Sequence, residues 1–129
     1  MAINILVVDD SAVMRKMIIK TMDMCGVSIG KIKQAGNGRE GLEELNKNWI
    51  DIVILDINMP VMNGEEMIDE MKQVPELKDI PVIVISTEGS STRIRRLKKK
   101  GARFIQKPFT PEMIRDTIND VTGAAESYE

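Results

Sequence analysis

Five short apolar runs alternate with five segments that carry a single apolar stripe, and this alternation constrains the fold more than any other feature of the chain. The runs cover residues 3–8, 31–35, 51–55, 81–86 and 102–106; the striped segments cover 11–25, 38–47, 64–74, 90–100 and 111–121. Short apolar runs bounded by turn signals read as buried strands. Apolar residues at three- and four-residue spacing read as helices lying on a sheet. Such stripes are Met14, Met17, Ile18, Thr21 and Cys25, with Gly26 as the stop; Met67, Ile68 and Met71; Ile94 and Leu97; and Ile114, Ile118 and Val121. Strict alternation predicts an α/β fold, a doubly wound five-stranded parallel sheet with helices on both faces. No repeat or low-complexity linker interrupts it. Residues 1–129 are therefore predicted to be one domain, with 123–129, small and acidic, as a frayed tail.

Composition excludes several function classes. The net charge is −2, with neither a large basic excess nor a basic amphipathic arm, which argues against general nucleic-acid or membrane binding. No stretch approaches the ~20 apolar residues that span a bilayer. Met1-Ala2-Ile3-Asn4 runs into a strand pattern without a charged leader, and the single Cys25 suits a reducing compartment. A cytoplasmic protein is expected. The chain has no histidine, which removes Ser-His-Asp and Cys-His nucleophiles, His-based metal sites and a phosphohistidine of its own. The ten methionines read as gap-filling core and helix-face packing.

The chemistry concentrates where strands end. Ile5-Leu6-Val7-Val8 stops at Asp9-Asp10, and Ile52-Val53-Ile54-Leu55 stops at Asp56. Ligands of open parallel sheets bind beyond the carboxyl ends of the strands, so these three acids are expected to converge. Like charges that close raise one another's cost of ionisation, and hard oxygen ligands imply Mg²⁺. Ser86 ends the fourth run and Lys107-Pro108 ends the fifth. A lysine closing a buried strand beside three acids needs a charge partner. Three carboxylates sum to −3, and Mg²⁺ with Lys107 to +3. Such a cluster suits phosphate oxygens, and a carboxylate can form an acyl phosphate. Asp56 is the better nucleophile, since Asp9 and Asp10 are adjacent and begin the metal shell. Mg²⁺, Lys107, the Ser86 hydroxyl and nearby backbone N–H groups would hold the transferred group.

The series Asp9-Asp10, Asp56, Ser86, Lys107-Pro108 resembles the receiver domain of two-component response regulators over essentially the whole chain. Val7-Val8-Asp9-Asp10-Ser11, Asp56-Ile57-Asn58-Met59-Pro60 through Asn63-Gly64, and Lys107-Pro108-Phe109 look most like the stand-alone chemotaxis, CheY type. The resemblance implies a flavodoxin-like strand order 2-1-3-4-5, itself a standard example of the ligand-crevice rule. It implies that Asp56 accepts phosphate from a phosphohistidine on a sensor histidine kinase. Asp9, Asp10, Asp56 and the Asn58 backbone carbonyl would bind Mg²⁺. Lys107 would contact the phosphoryl group through a strand end whose Lys107-Pro108 bond is often cis. Ser86 would move toward the phosphate and Phe104 would turn inward, a two-state element biased by new charge-assisted contacts. Asn58 and Glu88 would flank the line of water attack and tune phosphate lifetime. The partners implied are the kinase, a flagellar or archaellar motor component or adaptor, and a phosphatase, with the receiver itself a monomer and not an enzyme.

Two residues depart from the family pattern. Phe104 stands where chemotaxis members usually carry Tyr, so a hydroxyl-based readout is lost. Thr87 stands where a smaller residue is usual. Plainer readings exist beside these: Asp10 or Ser11 as a helix cap, Ser86 as a simple strand-end hydroxyl, Lys107 as a surface lysine, Phe104 as static core. Gly38, Gly41, Gly64 and Gly101 read as turn or packing glycines, because no phosphate-cradling motif follows the first strand. The basic run Arg93–Lys100 reads first as a solvated face favouring the helix dipole. Its functional reading is contact with an acidic protein surface through residues 90–100, Phe104 and 111–121; direct DNA binding lacks a reader element. Rival functions are a phosphorelay intermediate or phosphate sink, and, remotely, a Mg²⁺-dependent phosphohydrolase. The latter would want an acid where Asn58 stands.

Overall fold

The strands that sit in the middle of the sheet are apolar almost throughout because helices cover both of their faces. A computed structural model describes residues 2–123, so the predicted tail beyond Gly123 lies outside the described residues. Five parallel strands, β1 (Ile3–Val8), β2 (Ile29–Ala35), β3 (Ile52–Leu55), β4 (Val82–Ser86) and β5 (Arg103–Gln106), lie in the order β2-β1-β3-β4-β5. Helices α1 (Ala12–Asp23), α2 (Gly38–Lys47), α3 (Gly64–Lys72), α4 (Ser91–Lys99) and α5 (Pro111–Thr122) connect or follow them. The expected α/β architecture and strand order are both present.

The period of two along each strand divides the core in two. Leu6, Val8, Val53, Leu55, Val82 and Val84 face a layer that includes Leu45, Met67, Ile68, Met71 and Leu97, from α2, α3 and α4. Ile5, Val7, Ile52, Ile54, Ile83, Ile85 and Ile105 face Ile18, Met22, Ile114 and Ile118 from α1 and α5. Each fully buried aliphatic side chain of this size contributes about 1.5–3 kcal/mol of transfer free energy. The sheet is thereby a stiff platform whose carboxyl edge carries the polar residues.

The register aligns that edge. Val8 pairs with Leu55 and Leu55 with Val84, so Asp9 and Asp56 leave adjacent strands at one level. The Asp56 N–H donates to the Val8 carbonyl at 3.0 Å, and the Lys107 N–H to the Ser86 carbonyl at 2.9 Å. Caps fix where the following helices start. Ser11 accepts from the Met14 N–H, and Asn63 forms a capping box with Glu66. Gly64 then enters α3 so close to the third strand that a Cβ there would stand 2.3 Å from the Asp56 carbonyl oxygen. Only glycine allows this approach.

Several expectations need correction. The packed row of α1 is Ile18 and Met22, with Met14 and Ile19 partly buried against it. Met17 is 51% exposed, because it lies about 100° round the helix from Ile18. α1 ends at Asp23 with Met24 as its cap, so Cys25 is buried beyond the helix instead of belonging to its stripe. Met24 and Met113 are also exposed, so the methionines are not uniformly core. β2 begins at Ile29, two residues early, since Ile3 pairs with Ile29 before a register shift. Among the described residues no helix is long and apolar enough to cross a membrane.

Candidate functional site

Asp9 is 2% exposed and Asp56 partly buried, while Asp10 lies in solvent; yet carboxylate oxygens of all three lie within 4.8 Å of one another. The Asp9 Oδ1 accepts from the Ser11 N–H at 2.9 Å, whereas its Oδ2 is buried with no hydrogen-bond partner. The Asp56 Oδ1 accepts from the Ile57 N–H at 2.7 Å. Lys107 Nζ stands 3.9 Å from Asp9 Oδ2 and 4.0 Å from Asp56 Oδ2, so it faces both acids without closing on either. The Lys107-Pro108 peptide bond is cis.

Burial pushes the Asp9 carboxyl above the usual aspartate range. The Ser11 N–H opposes that, Asp56 adds to it, Lys107 opposes it and Asp10 adds to it. A buried, unpartnered carboxylate oxygen facing two more carboxylates is costly for the protein alone. A small hard cation would remove that cost, and an all-oxygen donor set with an exposed flank suits one that keeps several waters. The chain's residues therefore fit Mg²⁺.

Ser86 is fully buried, and its Oγ accepts from the Glu88 N–H at 3.1 Å. The hydroxyl oxygen is thus engaged by the loop after β4. Phe104 is half-buried, packed on the α2–α3–α4 side of the core, and lines a groove of about 570 Å³ with Lys98, Gly101, Ala102, Arg103, Thr117 and Asp120. Thr87 is exposed and lines a second, more apolar hollow with Met14, Met17, Thr21, Lys107, Pro108 and Phe109. Asn58 is exposed in the loop after β3, and Glu88 partly buried in the loop after β4. Asp9, Asp10, Asp56, Asn58, Ser86, Glu88 and Lys107 accordingly lie along the carboxyl edge of the sheet, whereas Phe104 lies inside β5, paired with Val84.

Sequence reasoning missed Arg93. Its Nη1 donates to Glu88 Oε1 at 2.9 Å and lies 3.4 Å from Asn58 Oδ1, so one guanidinium bridges the loops after β3 and β4. The Ser90 N–H, then Arg93, hold the Glu88 carboxyl below the usual glutamate range. The basic run is not simply a solvated face. Arg96 and Lys100 pair with Glu65, and Lys100 also with Asp69, tying α4 to α3. Nothing in the local sequence marks these pairs, because Arg93 and Asn58 are 35 positions apart, Arg96 and Glu65 31.

Similar proteins agree with this geometry. A family model described as response regulator receiver domain matches residues 5–119. A chemotaxis protein CheY homolog of Campylobacter jejuni is 35% identical, covering 93% of this chain and 92% of its own length. The solved structure of the chemotaxis response regulator CheY4 of Vibrio cholerae is 33% identical with a TM-score of 0.81, over 94% of this chain and 99% of that one. A CheX–CheY–BeF3–Mg²⁺ complex from Borrelia burgdorferi contains a chain 28% identical with a TM-score of 0.83, over 93% and 89% of the two chains. With residues 5–119 matched, this chain belongs to the response regulator receiver domain family.

Proposed function

We propose that the chain is a stand-alone response regulator, a single receiver domain spanning residues 1–129, that accepts a phosphoryl group on Asp56 and changes its protein contacts. The observation that carries this is the meeting of the Asp9, Asp10 and Asp56 oxygens within 4.8 Å, with Lys107 facing the inner pair. Asp9, Asp10, Asp56 and the Asn58 carbonyl would hold Mg²⁺. When bound, the ion supplies positive charge for phosphoryl oxygens.

The chain's own groups do the rest. An Asp56 carboxylate oxygen bonds to phosphorus as the nitrogen–phosphorus bond of the donor's phosphohistidine breaks, leaving an acyl phosphate and a free imidazole. Lys107, already placed before Asp56, neutralises charge on the arriving group. The fully buried Ser86 hydroxyl accepts from the Glu88 N–H and keeps its own proton to donate, so moving to bond the phosphate would carry the loop after β4 with it. That movement would shift the loop leading into α4, and Phe104 would follow by packing alone, without a hydroxyl to signal with.

The output surface is the groove between α4, β5 and α5, with Lys98 and Arg103 on its wall; Arg103 is paired to Asp120 in the state described. An acidic partner segment would compete for that arginine. The protein would act in the cytoplasm as a monomer in chemotaxis signalling. Its partners would be a histidine kinase, a motor component or adaptor, and a phosphatase, and its chemistry would be limited to its own phosphorylation and dephosphorylation. Incubation with a small acyl phosphate and Mg²⁺, followed by intact-mass analysis, tests this. Wild type should gain one phosphoryl group, Asp10→Asn little and Asp56→Asn none. Loading of Asp56→Asn to the wild-type level would refute it.

A further inference from the structure

We infer that Arg93 is a positioning residue that lengthens the life of the phosphoryl group by holding Glu88 and Asn58 away from the attacking water. The inference rests on Asp56 being the phosphoryl acceptor, and adds a residue outside the acceptor cluster itself. Arg93 sits on the first turn of α4, yet its guanidinium reaches back over the mouth of the site. There it meets Glu88, two residues past Ser86, and Asn58, two residues past Asp56. These loops leave the neighbouring strands β3 and β4 at Asp56 and Ser86. The same guanidinium has a buried Nε with no acceptor, so it is partly enclosed between the loops with a donor still unspent.

Dephosphorylation forms a bond between a water oxygen and phosphorus while the bond from phosphorus to the Asp56 oxygen breaks. The electron pair stays on the Asp56 carboxylate, the water's proton passes to solvent, and inorganic phosphate leaves. A carboxylate or amide oxygen beside that path speeds the step by orienting the water. In this chain the side-chain oxygens of Glu88 and Asn58, on the loops that leave the site, are both engaged by Arg93. A planar guanidinium can face two acceptors at once, which a lysine ammonium does with less geometric control. The bridge also joins α4 to the phosphoryl site, so movement of α4 on binding a partner would loosen the clasp.

The experiment loads protein with acetyl phosphate and Mg²⁺, removes the donor by rapid desalting, and follows loss of the phosphoryl mass with time. Arg93→Ala should lose phosphate at least about fivefold faster than wild type, the effect of freeing an orienting oxygen. Arg93→Gln, whose amide is too short to span both loops, carries the same expectation should the alanine variant fold poorly. In an Asn58→Ala/Glu88→Ala background, the Arg93 substitution should change the rate less than about twofold, since nothing remains to release. Arg93→Lys can still pair with Glu88 and should recover part of the lifetime. An unchanged lifetime in the Arg93 variants, an undiminished effect in the double-alanine background, or no recovery with lysine would each overturn the inference. Failure of wild type to load at all would instead overturn the assignment of Asp56.

Discussion

Asp9 is poised for metal at the expense of stability, and Asp9→Asn should expose that trade. The side chain is almost completely buried, and its Oδ2 has no hydrogen-bond partner. Asparagine has the same shape and its Oδ1 can keep the bond from the Ser11 N–H, so the substitution chiefly deletes the charge. Leaving a buried acceptor unsatisfied costs about 1–3 kcal/mol. Lys107, 3.9 Å away, offsets part of this, and it keeps Asp56 when Asp9 is neutralised. The net expectation is a gain of about 1–2 kcal/mol in EDTA, or roughly 4–8 °C in Tm for a chain of this size.

The pH dependence follows from the direction of the shift. A carboxyl whose folded pKa lies above its ordinary value of 3.8 binds its proton more tightly in the folded state. Stability is therefore lost as pH rises from the ordinary value through the raised one, and the loss is complete above it. The advantage of Asp9→Asn should be full above the raised pKa and fade as pH falls toward 3.8. Mg²⁺ should raise the Tm of wild type by mass action and that of the variant much less. Thermal unfolding followed by circular dichroism, with EDTA and with Mg²⁺, measures all three effects. A variant no more stable than wild type in EDTA, or equal stabilisation of both proteins by Mg²⁺, would refute the reasoning.

Other parts of the molecule give further expectations. Gly64→Ala must push the start of α3 away from the Asp56 carbonyl, so denaturant melts should show a loss of at least about 2 kcal/mol, with reduced phosphoryl loading. Arg96 holds the Glu65 carboxyl down to about 2 from an ordinary 4.5, so its stabilising effect is present above pH 4.5 and lost as pH falls toward 2. Because Arg96 is half-exposed, Glu65→Gln should cost less than about 1 kcal/mol at neutral pH, and acid titration of stability should show a flatter limb in that window. Trp49 is 80% exposed, bonds to Asp51 and lies beside Ala2, Ile3 and Asn4 at the amino end of the sheet. Its fluorescence should change little or not at all on adding Mg²⁺; strong quenching would place the metal or the tryptophan elsewhere.

The sequence made the central architecture readable because β3 and β4 are apolar at every step up to their polar ends, and those ends are the site. Burial on two faces leaves no room for alternation, and the acid or hydroxyl marks where each strand leaves the core. β2 was less legible: it is an edge strand with Lys31, Lys33 and Gln34, so its start at Ile29 is set by pairing with Ile3. The row along α1 is ambiguous at Met17 because a stripe of methionines does not reveal which face the sheet covers. The Arg93 bridge was hidden for a different reason. A basic helix looks the same in sequence whether its cations meet water or meet carboxylates brought near by the fold. Charge pairing across loops is a tertiary property, and only the packing of α4 against the sheet edge reveals it.

The most direct test of the account is chemical trapping of the loaded protein. Borohydride reduction of an aspartyl phosphate leaves homoserine, and peptide mapping then locates it. Homoserine at position 56 alone, appearing only when Mg²⁺ and a phosphoryl donor are both present, is the expected result. Homoserine at position 9 or 10, or equal labelling in EDTA, would contradict it.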